Sequence, residues 1–345
     1  MSPNPPNITS PMLGGQGGEG DKESLVAVMA RPTHTPVLLA EVVDALIPAL
    51  GVGTTLLDAT IGLGGHSAAL LDAAPGTRLV GIDRDGEALE LAAARLAGFD
   101  DVNLVRSRFD ELGDVLDGLG IGAAQAMLFD LGLSSLQIDE AGRGFAYIKD
   151  GPLDMRMDDR GALTAADIVN TWPDAELARV IRDFGEEPHA LRVAQAIVTA
   201  RQQAPIETTG RLAVVVTEAM PAAVRYGSGG HPAKRVFQAL RIATNDELTA
   251  LAQALPVALA RLAVGGRLAV ISYHSLEDRL VKQAFRAAAT IQAPRRLPVV
   301  PPALQPRFAL VTDQAIRPSE DEVAANPRAA SARLRVVTRV MEDQS

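Results

Sequence analysis

With 345 residues and 47% hydrophobic side chains, the chain can bury one large core or two linked ones. The absence of cysteine excludes disulfides and thiolate metal centres and suits a reducing compartment. A formal net charge of −9 argues against a protein that coats nucleic acid by bulk electrostatics, while leaving room for a nucleic-acid substrate met by a locally basic face.

Residues 1–30 are rich in Pro, Gly, Ser and Asn and read as a disordered tail, with Met29 as an alternative start just ahead of the ordered region. They lack the basic start and apolar block of a signal peptide. No apolar run approaches the roughly 18 residues that span a bilayer, so a cytoplasmic protein without membrane contact is expected. The ordered part opens on Thr33–Leu39, where His34 can serve as a ligand contact or as a cap. A helix follows, with Val42, Val43 and Leu46 on one face.

Strand-like runs then appear at Thr54–Ala59, Arg78–Asp83, Val102–Arg106 and Ala124–Asp130, separated by helical segments that include His66–Ala73 and Glu87–Leu96. This alternation predicts an α/β fold with a parallel, doubly wound sheet, whose ligands bind at the carboxyl ends of the strands. Three of those ends carry acids, Asp58, Asp83 and Asp130. Between the first strand and its helix lies Gly62-Leu63-Gly64-Gly65-His66, a glycine-rich turn of the kind that cradles a nucleotide-like cofactor. A pyrophosphate wants helix N–H groups and no nearby anion. Asp58 beside the loop therefore favours S-adenosyl-L-methionine, which has no phosphate and carries an ammonium and a sulfonium, over a dinucleotide. Asp83 is then the acceptor for the ribose hydroxyls.

After Asp130 the pattern changes. Residues 141–231 contain no parallel-sheet strand. Leu177, Val180, Ile181 and Phe184 share a helix face, with Gly185 as its stop. Pro188 suits the first turn of a helix to about Arg201, and Thr208-Thr209 caps another. The segment reads as an inserted helical domain, residues 141–231, between segments 31–140 and 232–345 of the sheet domain. Tyr226–Gly230 is a flexible return. Helical spacing resumes through Phe237, Leu240, Leu248, Leu251 and Leu255. Gly265-Gly266 leads into a fifth core strand, Arg267–Ser272, with Tyr273-His274-Ser275-Leu276-Glu277-Asp278-Arg279 at its carboxyl end. Pro294–Pro306 is an extended connection, and Leu334–Val340 a final antiparallel strand.

Several of these stretches are long and unusual in combination: Asp58–Ser67, Gly81-Ile-Asp-Arg-Asp85, Phe129-Asp-Leu-Gly-Leu-Ser-Ser135, Arg143-Gly-Phe, Gly151–Met157, Gly185-Glu-Glu187, His231-Pro-Ala, Phe237–Ile242, His274–Arg279 and Asn326-Pro-Arg328. In that order they resemble the bacterial 16S ribosomal RNA cytosine N4-methyltransferases (the RsmH or MraW family). The resemblance implies a class I, Rossmann-like methyltransferase fold with an inserted all-helical domain. It further implies methyl transfer from S-adenosyl-L-methionine to the exocyclic N4 of cytosine 1402 in 16S rRNA of the small ribosomal subunit. The cofactor contacts it implies are Gly64, Gly65, His66, Asp83, Phe109, Asp130 and Gln137. Other readings are a DNA amino-methyltransferase and an S-adenosylmethionine-sensing ribosome assembly factor without catalysis.

Transfer to N4 is an in-line displacement on a methyl carbon, so positioning supplies much of the rate. The amine is conjugated and weakly nucleophilic, and it needs acceptors that draw its N–H bonds into line. Asp130, Ser134 and His274 are the candidate catalytic residues. Many amino-methyltransferases place Asp/Asn-Pro-Pro-aromatic after the fourth strand, whereas here Asp130-Leu131-Gly132-Leu133-Ser134-Ser135 brings no ring. Phe145, Tyr147 and Tyr273 are alternatives for stacking on the base, and the family pattern at Tyr273 more often has Phe. His274 is either a general base or a structural, RNA-positioning residue. Glu277-Asp278-Arg279 reads as a charge network at a helix start. No His, Asp or Glu spacing matches a metal site. The cations available for RNA phosphates are Arg143, Arg156, Arg160, Lys234, Arg235, Arg241, Arg295, Arg296, Arg328, Arg333 and Arg335. Ala330 stands where relatives usually place Arg. The oligomeric state is open, a homodimer included.

Overall fold

The computed structural model describes residues 35–226, 230–291 and 305–342. The N-terminal tail, Met29, His34, Gly227–Gly229, Arg295 and Arg296 lie outside the described residues, as does most of the Pro294–Pro306 connection.

Seven strands form one sheet in the order β3-β2-β1-β4-β5-β7-β6. They are β1 (Thr55–Asp58), β2 (Arg78–Asp83), β3 (Val102–Arg106), β4 (Ala124–Asp130), β5 (Leu262–Ser272), β6 (Phe308–Leu310) and β7 (Arg333–Arg339). β1 to β5 pair in parallel, and β7 runs antiparallel between β5 and β6. This is the Rossmann-like class I methyltransferase arrangement. All four residues of β1 are buried, as a strand covered on both faces requires. The order reverses between β1 and β4, so Asp58, Asp83 and Asp130 are brought to one edge beside the crevice where such sheets bind ligands.

Each face of the sheet is covered by helices with an apolar stripe. On one face Leu46 of α1 (Leu39–Leu46), Leu70 of α2 (Gly65–Ala73) and Leu96 of α3 (Gly86–Leu96) pack on Leu56, Leu79 and Leu128. On the other, α4 (Leu112–Gly118) with two helices of the C-terminal half packs on Leu57, Val80 and Met127. A third core lies apart from the sheet strands and is built from helices and the segment that precedes them. It joins Phe145, Leu153, Met155 and Met157 to α6 (Ala165–Thr171), α7 (Asp174–Gly185), α8 (Ala190–Gln203) and α9 (Thr209–Ala219), which follow the short α5 (Ser135–Asp139). It extends past residue 231, through Ala233, Val236, Phe237 and Leu240. Among the described residues no helix is long and apolar enough to cross a membrane.

Several local expectations shift, each for a physical reason. Gly185 is the last residue of α7 rather than its left-handed stop; Glu186 takes that conformation at φ 49°. A side chain at 185 would stand 2.6 Å from the carbonyl of Arg235, so the glycine is there for close helix packing. Pro188 precedes α8, whose first helical residue is Ala190. After the short α10 (Ala222–Arg225), the long apolar periodicity from Phe237 to Leu255 is two helices, α11 (Lys234–Asn245) and α12 (Glu247–Ala260), broken at Asp246 with φ 51°. β5 starts five residues early, at Leu262, and accommodates Gly265 at φ +80° where the register with β4 shifts.

Candidate active site

The loop between β1 and α2 is held from below. Asp58 is 2% exposed; its carboxylate accepts from the Ser67 hydroxyl (2.6 Å) and the Thr60 N–H (3.3 Å). It is thus turned under the loop, where it orders α2, and does not face a ligand. Burial pushes its acid group up to about 6, against the lowering effect of the Ser67 bond. In this pH window the folded chain binds a proton that the unfolded chain has lost, so stability falls as pH rises from about 4 to 6 and then levels. Asp58→Asn should remove about 3 kcal/mol of that fall. Urea unfolding of both chains at pH 4, 5, 6 and 7 checks this; parallel curves for the two would refute it.

The glycines of the loop divide their work. Gly64 sits at φ +74° as the cap of α2, and a side chain there would press on Leu96 of α3. At Gly65 a Cβ would stand 2.6 Å from Pro36. These two admit protein neighbours, whereas Gly62, at φ +50°, has nothing nearer to its Cβ position than the Thr60 carbonyl at 3.9 Å. Asp83 fastens this open part of the loop: Oδ2 accepts from the Gly62 N–H and Oδ1 from the Asp85 N–H, both at 2.9 Å. Each oxygen keeps a lone pair for a further donor. Burial holds its acid group above the ordinary carboxylate range, which makes it a weaker acid.

At the end of β4, Asp130 is the hub of a second cluster. Its N–H donates to Thr60 Oγ1 (2.6 Å), its Oδ1 accepts from the Tyr273 hydroxyl (2.8 Å), and His66 Nδ1 lies 3.6 Å from Oδ2. The other ring nitrogen of His66 is 2.9 Å from the Val37 carbonyl, which can only accept, so Nε2 carries the hydrogen and Nδ1 is the atom turned to Asp130. His66 is 6% exposed. Asp130 keeps a quarter of its side chain open. Burial holds its acid group above the usual range, while His66 and Tyr273 oppose the shift.

His274 is placed differently. It is the N-cap of α13 (Ser275–Ala288), with Nδ1 accepting from the Glu277 N–H and Nε2 standing 3.2 Å from Glu277 Oε1. Glu277 returns the contact by accepting from the N–H groups of Tyr273 and His274. Nδ1 serves this capping box, a structural use, while Nε2 is buried beside Glu277 without a hydrogen bond among the described residues. Asp278 ties the same helix to β7 through Arg333 and Arg335.

Phe109 is 9% exposed and meets Phe129 edge-on at 5.9 Å, with the Arg84 guanidinium 6.0 Å from its ring centroid. It is a core aromatic at the rim of the crevice. Ser134 caps the short α5: its Oγ accepts from the Gln137 N–H, and its N–H donates to Gln137 Oε1. The remaining amide hydrogens of Gln137, a residue 5% exposed, point to Asp85 Oδ2 (3.0 Å). Asp85, which the sequence shows only as part of a motif, is the residue that ties these elements together. It is 4% exposed, caps α3 through the Glu87 N–H, and takes a 2.7 Å ion pair from Arg143, which also donates to the Met157 carbonyl. Its place two residues after Asp83 and two before Glu87 was the signal available in the sequence.

The sequence model of the MraW methylase family matches residues 31–340. The chain belongs to that family. Two relatives bear the name ribosomal RNA small subunit methyltransferase H. That of Streptomyces avermitilis is 52% identical over 317 residues, 91% of this chain and 99% of the relative. That of Thermobifida fusca is 56% identical over 313 residues, 90% and 94% of the two chains.

Most of the cations counted as RNA contacts in this MraW-family chain are engaged inside the protein. Arg143 holds Asp85, Arg156 holds Asp154, Arg160 holds Asp158 and Arg328 holds Asp139. Arg241 makes a two-pronged pair with Glu247 while only 13% exposed, and Arg335 is equally covered against Asp278. Arg235 donates to the Glu186 carbonyl. Lys234 is exposed. Of the three rings, Phe145 is in the helical core, Tyr147 stacks on exposed His231 at 4.6 Å, and Tyr273 leans on Gly132. Among the described residues no group of three or more His, Asp or Glu side chains is arranged to hold a metal ion.

Proposed function

We propose that this chain transfers a methyl group from S-adenosyl-L-methionine to the exocyclic N4 of a cytosine in 16S rRNA, at position 1402, within the small ribosomal subunit in the cytoplasm. The observation that carries the reading is the membership in the MraW methylase family together with the partly open Asp130 carboxylate at the crevice. The residues of the loop suit the cofactor: Gly62 offers open backbone, Asp83 retains acceptor capacity, and the concentration of carboxylates disfavours a pyrophosphate. Gly64, Gly65 and His66 would line its amino-acid end, Asp83 its ribose, and Phe109 its adenine, with Gln137 acting through Asp85. When bound, the cofactor supplies an activated methyl group and a neutral thioether leaving group.

The protein's part is positional and electrostatic. A free lone pair of Asp130 accepts an N–H of the cytosine amine, which leaves the nitrogen lone pair to face the methyl carbon. The methylated nitrogen is strongly acidic and its proton passes to Asp130 or water, so His274 is not required as a base. Ser134 shapes the turn that follows Asp130. The helical part around residues 141–231 is the natural RNA-facing surface. The target base must leave its stack to reach the crevice.

The deciding assay supplies labelled cofactor and assembled small subunits from cells that lack this modification. N4-methylcytidine should be recovered from the digested RNA. Its absence refutes the specificity, and duplex DNA accepting more label than subunits would point to DNA amino-methylation. Asp83→Ala should weaken cofactor binding by about 1–3 kcal/mol through lost hydrogen bonds to a charged acceptor. Titration calorimetry that finds equal affinity removes the ribose assignment.

A further inference from the structure

We propose that Tyr273 is a positioning residue of the methyl-transfer site, holding the Asp130 carboxylate through its hydroxyl. The proposal rests on the reading of Asp130 as the acceptor for the substrate amine.

Three features of the fold converge on this contact. Asp130 and Ile271 are register partners on adjacent parallel strands, so Tyr273, two residues on, leaves β5 next to the turn that Asp130 begins. That turn is shaped to receive the ring. Gly132 adopts φ +106°, and a Cβ there would stand 3.1 Å from Tyr273 Cδ2. A side chain at 132 would therefore be strained by its backbone and would push on the ring. From the other side, Glu277 accepts the Tyr273 N–H at 2.8 Å and fixes the backbone from which the ring projects. The phenol has one hydrogen, and at 2.8 Å it goes to Asp130 Oδ1.

A tyrosine so held does two things to its partner. It fixes one rotamer of the carboxylate, and it favours the ionised form, the form that can accept from an amine. The groups facing Asp130 pull in both directions. His66 on α2 and the Tyr273 hydroxyl after β5 support the charge, while Glu277 on α13 opposes it, as does removal from water. Asp58 at the end of β1 lies close enough to feel the Asp130 charge. Of the supporting pair, Tyr273 is the one at hydrogen-bond distance. Without its hydroxyl, Asp130 takes up a proton at a higher pH and becomes a weaker acceptor there.

Tyr273→Phe is the direct test, because the ring stays against Gly132 and only the donor is lost. Single-turnover methyl transfer to unmodified small subunits, measured from pH 5.5 to 8.5 with saturating cofactor, should show the acid limb displaced upward by about one to two units, as a single hydrogen bond to a charged group allows. Rates on the upper plateau should fall by about 3–30-fold, because the carboxylate also loses its fixed rotamer, while the cofactor dissociation constant stays within about twofold. A superimposable pH profile overturns the proposal, and so does a loss confined to cofactor affinity. Asp130→Ala, which removes both oxygens, run alongside separates the two claims. If that variant retains the parent rate, the acceptor reading itself fails. If it is inactive while Tyr273→Phe keeps the parent profile, only the role of Tyr273 falls.

Discussion

Asp130→Ala should lower methyl transfer by about 10²–10⁴-fold at saturating cofactor, the range typical for loss of a positioned proton-accepting group. The size follows from what the side chain does in the crevice. It is the carboxylate held by the Tyr273 hydroxyl at the end of β5, with the His66 ring of the glycine loop 3.6 Å away, and it retains an open face. An alanine leaves the amine without its acceptor and leaves Tyr273 without a partner. Single-turnover assays on unmodified subunits, with cofactor occupancy measured separately by calorimetry, give the result. A variant as fast as the parent would end the assignment. Cells carrying the variant should also lack the modified cytidine, and an unchanged level of it would favour a protein that assists assembly without catalysis.

Arg143→Met should cost about 3–5 kcal/mol of folding stability, because it strands a buried carboxylate. Asp85 is 4% exposed and Arg143 is its cationic partner at 2.7 Å. The Glu87 N–H and the Gln137 amide remain, but neither carries a charge. The same guanidinium also reaches the Met157 carbonyl, so the segment that enters the helical core loosens from the turn after β2. Adding Asp85→Asn should return part of the loss, since the pair is then absent as a whole and no charge is left buried alone. Urea unfolding of the two single variants and the double variant tests this. A double variant weaker than the sum of the singles would show that the pair is not what stabilises this joint.

The role of Arg143 also marks the boundary between what residues reveal singly and what folding adds. Period-two apolar runs and helical spacings are local properties, so the first four strands and the doubly wound order were legible from the sequence. The strand-end acids Asp83 and Asp130 were legible too, because a parallel sheet delivers the ends of its strands to one edge. The short β6 was not legible: three residues give no period, and pairing with β7 makes the strand.

Partner choice lay beyond the sequence. Arg143 and Asp85 are 58 residues apart, and Arg335 and Asp278 are 57 apart; no spacing rule links such residues, so cations that read as an RNA surface turned out to neutralise buried acids. The loop glycines followed the same course, since the need for glycine at 64 and 65 comes from Leu96 and Pro36, distant side chains that only the packed fold brings against them. The sequence by itself determined the sheet, its edge and the family to which the chain belongs. The tertiary structure decided which charges are internal, which glycine faces open space, and that Asp130 is held by Tyr273, because burial and hydrogen bonding depend on distances between elements that no local pattern records.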